Sequence, residues 1–309
     1  MFYLIGLLIV FLLFFLRFRK ARNIFISVVL PPGDVEDAHQ GTIQVLTYNV
    51  AGLPQRISSA DTPRKTSMET IGKFLNNYDI VNVQEDFNYN SYLFSTALHP
   101  YKTVHKGKVP FGDGLSTLSK FPILEYRRIP WRACHGSDCL TPKGFSYIQV
   151  QLAKTITIDL YNLHANAHDT RRSARARRDN LNQLAQYIHD HSLGRPLLVM
   201  GDFNAHYGYG EDNMLDFLKK TALRDVWVEL KNRNEIPAID PLFVAKDMLS
   251  LTNKTESLDR ILYRNNPHFK FTPTLYDIDK KVFRNEIDQP LSDHLAVIVN
   301  LKWEYKFDQ

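Results

Sequence analysis

The amino-acid sequence predicts an α/β fold in which two packed β-sheets lie between helices. Strand-like runs recur from residue 42 to residue 303, whereas only two segments, and a weaker third, show helical periodicity. No Gly/Ser-rich break interrupts this region, so we expect one domain. Many strands with few helices bury their apolar faces most simply by packing sheet on sheet, with the helices outside.

The N-terminal segment, residues 1–30, predicts a hydrophobic membrane anchor with a basic flank. The run at 2–16, FYLIGLLIVFLLFFL, has no charged residue, and RFRKAR follows it. As a helix the run covers roughly 22 Å, less than a ~30 Å hydrocarbon core, although Phe18 and extended arginine side chains could lengthen it. A secretory signal has its basic residues before the apolar run and a small-residue cleavage site after it. The reversed order favours an uncleaved, single-pass transmembrane helix.

The side of the membrane on which the domain lies stays open. The basic flank favours a cytosolic domain by the positive-inside tendency. Cys134 and Cys139, the two cysteines, share one short loop in which a disulfide could close, and disulfides are typical of oxidising compartments. Two free thiols fit the same pattern, so neither the disulfide nor the compartment follows from the sequence.

The charge distribution argues against nucleic acid as the main partner. The formal net charge is +5, but residues 1–30 hold four basic residues and no acidic one. The remainder therefore carries only about +1, whereas a domain that grips a phosphate backbone usually has a larger surplus. A local arginine cluster is typical of a solvated helix face, and contact with anionic lipid or with a nucleic-acid backbone is the alternative. Its members are Arg171, Arg172, Arg175, Arg177 and Arg178.

The remaining elements follow one another without a second linker. Residues 31–41 are rich in proline, glycine and acids and predict a linker, the domain covers 42–303, and 304–309 form a tail. Strands are predicted at 42–50, 79–85, 115–123, 145–152, 155–164, 196–204, 258–264 and 294–303. Helices are predicted at about 65–77, 171–192 and 213–222.

Polar residues stand at the ends of several predicted strands. They are Asn49, Glu85, His164, Asp202 with Asn204, Asp259, and Asp293 with His294. Each one alone fits a turn residue or a satisfied polar group. Because residues two apart lie on one side of a strand, Asp202 and Asn204 are expected to point toward a shared ligand. Six such strand ends in one chain predict a common site.

The residue types predict metal-assisted attack of water on phosphorus. Carboxylates and carboxamides suit Mg²⁺, which keeps several waters and bridges to phosphate, and Glu85 is the best single ligand candidate. The chain has no H-E-x-x-H or paired CxxC for zinc and no G-x-S-x-G for a serine nucleophile. His294, beside an Asp, fits a base that activates water, while His164 and Asn204 fit donors to phosphoryl oxygens.

Seven motifs resemble those of the endonuclease/exonuclease/phosphatase superfamily in order and approximate spacing. They are TYNVAG, NVQE, GLSTLSKFPI, YNLHA, VMGDFNA, LDRILY and LSDHLAVIV, and they cover about residues 42–303. The resemblance implies a four-layer αββα sandwich of two packed mixed β-sheets flanked by helices, here preceded by the transmembrane helix. It also implies a metal-dependent phosphoric ester hydrolase that uses Mg²⁺, with Mn²⁺ as the alternative ion.

The resemblance also implies a role for each site residue. The expected metal residues are Asn49, Glu85 and Asp293, and the expected catalytic residues are His164, Asp202, Asn204, Asp259 and His294. His164 is expected to stabilise the transition state, and Asp259 to orient His294. Asp202 and Asn204 are expected to act on the attacking water and the phosphate. The choice of base between Asp202 and His294 stays open.

The substrate is predicted from a further resemblance, to neutral sphingomyelinases and related secreted or membrane-associated proteins. In their segment like SDCLTPKGFSYIQVQL an Asp lies five residues before a Lys-Gly, and here these are Asp138 and Lys143. The resemblance implies a pair that switches the active site, although Cys-Leu-Thr-Pro departs from the family's small aliphatic residues. An ordinary loop salt bridge is the alternative.

These observations predict a membrane-anchored, sphingomyelinase-like phospholipase C. An anchor would concentrate the active site at its lipid substrate. A metal-dependent endonuclease or exonuclease is the alternative, followed by an inositol-phosphate phosphatase and, last, a non-enzymatic membrane adaptor. Membrane lipid is the predicted partner, nucleic acid is the second, and no obligate protein partner is predicted.

Overall fold

The structure, a computed structural model, describes residues 2–23 and 26–306. The helices are α1 (Phe2–Asn23), α2 (Arg64–Leu75), α3 (Asn90–Thr96), α4 (Arg171–Ser192), α5 (Met214–Thr221) and α6 (Val226–Lys231). The strands are β1 (Ile26–Val29), β2 (Gln40–Asn49), β3 (Ile80–Gln84), β4 (Tyr101–Lys102), β5 (Ser116–Ser119), β6 (Ile123–Pro130), β7 (Gly144–Ala153), β8 (Ile156–His164), β9 (Leu197–Asp202), β10 (Arg224–Asp225), β11 (Asp259–Arg264), β12 (Phe269–Ile278) and β13 (Val297–Tyr305). Two short 3₁₀ turns lie at Gly136–Leu140 and Met248–Ser250.

The strands form two mixed sheets. Sheet A has the order β1-β6-β7-β8-β9-β11-β10, and sheet B has the order β12-β13-β2-β3-β5-β4. Each sheet contains one parallel pair, β8–β9 in sheet A and β2–β3 in sheet B, and its other pairs are antiparallel. The predicted α/β fold with two mixed sheets is therefore confirmed.

The two sheets pack face to face and are also joined by buried amides. The Asn82 amide, on sheet B, donates to the carbonyls of Tyr161 and Met200 on sheet A, at 3.0 and 3.1 Å. In the other direction, the Asn162 amide donates to the Val83 carbonyl at 3.1 Å. Buried amides are retained only where they are hydrogen-bonded, so these bonds fix one sheet relative to the other. The strand ends of both sheets thereby meet at a defined edge.

Helices cover the outer face of each sheet. Helix α2 packs Met68, Ile71 and Leu75 into a core cluster with residues of β2, β3 and β5. Helix α4 packs Leu181 and Ile188 into the cluster that joins the two sheets. The apolar positions repeat every three or four residues, as expected for amphipathic helices. Helices α2, α4 and α5 lie where three helices were predicted.

The predicted transmembrane anchor is not supported. In the described part of the chain, no helix combines the length and the apolar character needed to span a membrane. The uncharged run of α1 ends at Leu16, after which the helix carries several basic residues. The run is therefore roughly 8 Å too short for the hydrocarbon core, and arginines and a lysine follow where further apolar residues would be needed.

The segments predicted as anchor, linker and tail also contribute to the sheets. Ile26–Val29, within the predicted 1–30 segment, forms β1 and pairs with β6. Strand β2 begins at Gln40, and β13 continues to Tyr305. Residues 1, 24 and 25 of the predicted anchor and 307–309 of the predicted tail lie outside the described residues.

Candidate active site

Strand register brings the polar strand ends together at one edge of the two sheets. Asn49 ends β2 beside Gln84 of β3, and His164 ends β8 beside Asp202 of β9. Asp259 begins β11 opposite Asp202, because this pair of strands is antiparallel. Parallel neighbours end at the same edge of a sheet. The predicted site residues of both sheets therefore lie side by side.

Asp202 and Asn204 are brought together by a turn and not, as predicted, by the alternation of a strand. Strand β9 ends at Asp202, and Asn204 has a left-handed backbone with φ of 49°. The Asn204 backbone N–H donates to Asp202 Oδ1 at 2.9 Å, and its side-chain amide donates to the Ala165 carbonyl at 3.2 Å. Asparagine tolerates this backbone region and such side-chain turns better than most residues. Both side chains are held in place as a result.

The Asn49 amide links two carboxylates. Its Nδ2 lies 3.1 Å from Asp202 Oδ2 and 3.4 Å from Glu85 Oε1, while its Oδ1 accepts the Ala51 backbone N–H at 3.1 Å. An amide nitrogen donates and does not ligate a cation. In this orientation Asn49 positions the two carboxylates, whereas the sequence predicted it among the metal residues.

His294 is hydrogen-bonded to Asp259, as predicted. Its Nδ1 lies 2.7 Å from Asp259 Oδ2, and its Nε2 lies 4.0 Å from Asp202 Oδ2. Burial alone would lower the pKa of His294, but the charge of Asp259 and its hydrogen bond outweigh burial and raise this pKa to about 10. His294 is therefore an imidazolium at neutral pH, with Nε2–H facing Asp202.

His164 is held neutral beside a lysine. Asp138 Oδ1 lies 2.6 Å from Lys143 Nζ, which lies 3.0 Å from His164 Nε2. An ammonium can only donate, so Nε2 accepts and the ring proton sits on Nδ1. Burial, and after it the charge of Lys143, holds the pKa of His164 well below its usual value. Asp202 Oδ2 lies 3.4 Å from the same Nε2. Because Nε2 accepts from Lys143, it carries no proton that it could donate to Asp202.

The Asp138 loop is closed by a disulfide between Cys134 and Cys139. The sequence left this bond open. The loop contains the 3₁₀ turn at Gly136–Leu140, and Asp138 Oδ2 accepts the Ala167 backbone N–H at 2.5 Å. Asp138 is therefore held by the disulfide-closed loop on one side and by the segment that follows His164 on the other.

Two groups of side chains are candidates for a metal site. Asp202, Asp259 and His294 offer ligand atoms within 4.8 Å of one another. In this structure, however, His294 Nδ1 and Asp259 Oδ2 are already engaged with each other at 2.7 Å. Glu85 and Asp293, the predicted metal carboxylates, are both half-buried oxygen donors of the kind that Mg²⁺ prefers. Burial raises the pKa of Glu85, and a bound divalent cation would offset that cost.

Sequence reasoning missed three residues that hold this site. The Trp131 indole donates to the His164 carbonyl at 2.8 Å, and the Ser292 hydroxyl donates to the Asn49 carbonyl at 2.7 Å. Ser292 lies inside the LSDH motif, so the motif could have indicated that Ser292 belongs to the site. Arg64 donates to the carbonyls of Val50 and Leu291, next to Asn49 and Ser292. It has no such sequence signal, because an arginine at the start of a helix normally faces solvent.

The sequence identifies the family to which this geometry belongs. Residues 46–294 match the sequence pattern of the Endonuclease/Exonuclease/phosphatase family. The chain belongs to this family. The predicted resemblance is thereby confirmed, and membership agrees with the predicted class of phosphoric ester hydrolases.

Among relatives of this family member, sphingomyelinases of Mycobacterium bovis and Mycobacterium tuberculosis are 36% identical over 274 residues. The match covers 86% of this chain and 54% of each relative, so the chain spans about half their length.

Two solved structures share the fold of this family member. Beta toxin from Staphylococcus aureus with bound magnesium ions is 17% identical, with a TM-score of 0.59, over 86% of this chain and 100% of that one. D. rerio TDP2 complexed with single-strand DNA product is 16% identical, with a TM-score of 0.61, over 84% of this chain and 98% of that one. At these identities the likeness shows the fold alone.

Proposed function

We propose that this chain hydrolyses a sphingomyelin-type phosphodiester by Mg²⁺-dependent attack of water on phosphorus. One observation carries the proposal: the predicted polar strand ends converge at one edge in a chain 36% identical to sphingomyelinases. We propose 42–303 as the catalytic unit, with lipid as its substrate and partner.

The charge states suggest how the roles divide. Glu85 and Asp293 would hold Mg²⁺, which when bound supplies positive charge to the phosphate oxygens. Burial and the charge of Asp259 raise the pKa of Asp202, so Asp202 is the better acceptor for the proton of water. His294 is already protonated, and it would stabilise negative charge that develops on the phosphate. Asp259 would hold the His294 ring in place.

Lys143 would control when His164 takes part. A substrate phosphate competes with His164 for the Lys143 ammonium, because a charged oxygen is the stronger acceptor. Once Lys143 turns to the phosphate, His164 Nε2 can carry its proton and donate toward the reaction. We propose the Asp138–Lys143 pair as the switch that sets this exchange.

A nuclease is the second candidate, because the fold is also that of TDP2 complexed with single-strand DNA product. The arginine cluster on α4 lends this candidate less support than its sequence suggested. Arg171 and Arg178 pair with Glu211, each at 3.3 Å, and the buried Arg177 pairs with Asp212 at 2.6 Å. Paired arginines offer less positive charge to a phosphate backbone.

The proposal is tested by measuring phosphocholine release from sphingomyelin vesicles by the full chain. We expect release that needs Mg²⁺, stops with EDTA, and falls by about 10²-fold or more in His294→Ala. His189→Ala, an exposed histidine on α4, is the matched control and should keep full activity. Undiminished release by His294→Ala would show that the site is assigned to the wrong residues.

A further inference from the structure

Arg64, the first residue of α2, is a buried arginine with no part in the proposed chemistry. Its exposed fraction is 0%. Nη1 donates to the Val50 carbonyl at 3.0 Å, and Nη2 donates to the Leu291 carbonyl at 2.7 Å. Nε and Nη2 also donate to the carbonyl and hydroxyl of Thr62, at 3.1 and 2.6 Å. A single guanidinium thus joins three separate segments of the chain.

Two of these segments carry candidate site residues. Val50 directly follows Asn49, and Leu291 lies two residues before Asp293. Ser292 adds a second link between them, because its hydroxyl donates to the Asn49 carbonyl at 2.7 Å. The end of β2 and the loop that carries Asp293 are therefore tied at two points.

The shape of the Arg64 side chain suits this task. All four of its hydrogen bonds end on neutral oxygens, three carbonyls and one hydroxyl. A buried charge is costly unless its donors are satisfied. The planar guanidinium offers donors in several fixed directions, whereas a lysine has one nitrogen at the end of a flexible chain. Lysine keeps the charge, but its single nitrogen cannot occupy the separate positions from which Nη1 and Nη2 reach Val50 and Leu291.

We propose that Arg64 is a positioning residue that sets the separation between Asn49 and the Asp293 loop. Asn49 in turn holds the Glu85 carboxylate, so this separation fixes how Glu85 and Asp293 face a divalent cation. Arg64 is fully enclosed, and its hydrogen bonds end on the protein's own oxygens. Its loss should therefore weaken cation binding and turnover while leaving substrate affinity nearly unchanged.

The test compares Arg64→Lys with a matched variant, Arg264→Lys, in the full chain. Arg264 also donates to carbonyls, those of Thr221, Ser192 and Arg195, but at the opposite end of β11 from Asp259. Mg²⁺ affinity is measured by titration calorimetry, and kcat and KM by phosphocholine release from sphingomyelin in mixed micelles. Circular dichroism selects a temperature at which every variant is folded.

We expect Arg64→Lys to weaken Mg²⁺ binding and lower kcat, each by about tenfold or more, as for other residues that orient metal ligands. The KM of Arg64→Lys should stay within about twofold of the wild-type value. Arg264→Lys should match the wild type in Mg²⁺ affinity, kcat and KM. Ser292→Ala, a milder change, should shift the same two quantities in the same direction even if Arg64→Lys does not fold. Unchanged Mg²⁺ affinity in folded Arg64→Lys would overturn the inference, as would unchanged affinity in Ser292→Ala should Arg64→Lys not fold, or equal losses in Arg264→Lys.

The inference rests on the proposed function for its kinetic readout only. If the wild type binds Mg²⁺ but does not cleave sphingomyelin, the proposed function fails and the calorimetric comparison still decides the role of Arg64. If the wild type does both and Arg64→Lys equals it, the inference fails and the proposed function stands.

Discussion

Lys143 is a charged residue in contact with His164 in the candidate site. It lies between the carboxylate of Asp138 and the Nε2 of His164, at 2.6 and 3.0 Å. Its positive charge adds to burial in keeping His164 neutral. The sequence predicted the Asp138–Lys143 pair, but it could not show that the ammonium also contacts His164, because that contact joins the end of β8 to the residue just before β7.

Replacing Lys143 with methionine should raise the pKa of His164. The variant removes a nearby positive charge and keeps a side chain of similar size, although burial still holds the pKa below the ordinary 6.5. The His164 ring shifts, followed by NMR across a pH titration, measure this change. Lys154→Met, at an exposed position, is the control and should leave the His164 titration as it is. An identical titration in both variants would contradict the assigned contact.

At the scale of an element, the disulfide loop connects a covalent bond to the site. The cysteines are five residues apart, and Asp138 lies between them. On a chain-entropy estimate, closing so short a loop contributes about 2 kcal/mol to stability. Its larger effect should be local, because the loop fixes the carboxylate that holds Lys143.

We expect the double variant Cys134→Ser, Cys139→Ser to lose more activity than its stability loss explains. Its free energy of unfolding should fall by about 2 kcal/mol, which leaves the chain folded at the assay temperature. The kcat for sphingomyelin should nevertheless drop, to a value similar to that of Asp138→Asn with the disulfide intact. Wild-type kcat in the double variant would mean that the loop does not position Asp138.

The element behind Asp259 is stabilised by a buried ion pair. Arg260 of β11 donates to Glu256, to Asp225 at 3.1 Å and to the Ala205 carbonyl at 3.0 Å. Burial alone would raise the pKa of Glu256, but Arg260 outweighs burial and lowers this pKa to about 2. The folded carboxylate therefore titrates below its unfolded value near 4.5.

This shift predicts acid sensitivity with a definite sign. The Glu256 carboxylate contributes roughly 3 kcal/mol above pH 4.5, and this contribution is lost as the pH falls toward 2. Glu256→Gln should lower stability at pH 7 and flatten the decline between pH 5 and 2.5, measured by urea unfolding. The control is Glu304→Gln, because the Glu304 carboxylate forms an exposed pair with Lys270 at 3.9 Å. This variant should change neither the stability at pH 7 nor the pH slope. A wild-type pH slope in Glu256→Gln would refute the assignment.

Most strands and helices could be predicted from periodicity, but two long strands could not. Strand β6 contains three charged residues, Glu125, Arg127 and Arg128, without strict alternation, and β12 contains Pro273 at a register shift beside its neighbour β13. Both patterns argue against a strand locally, and sheet pairing overrides them. In the predicted anchor segment a strand was also missed, because Ile26–Val29 forms β1 and pairs with β6.

At the scale of the whole molecule, the site exists because two sheets are held in one relative position. Asn49 and Glu85 come from sheet B, whereas Asp202 and Asp259 come from sheet A. The amides of Asn82 and Asn162 join the sheets behind them. The sequence predicted which residues meet, because its seven motifs resemble, in order and spacing, those of the superfamily. It could not predict the contacts of Arg64, which join residues 227 positions apart.

The central claim is that this edge of the fold cleaves a lipid phosphodiester, and a comparison of substrates tests it most directly. The measurement is kcat/KM of the full chain in Mg²⁺ for sphingomyelin in mixed micelles and for a single-stranded DNA oligonucleotide, each with His294→Ala as background. We expect His294-dependent cleavage of sphingomyelin with a far higher kcat/KM than for DNA. Cleavage of DNA that depends on His294 and falls steeply with salt, without release of phosphocholine, would contradict the claim.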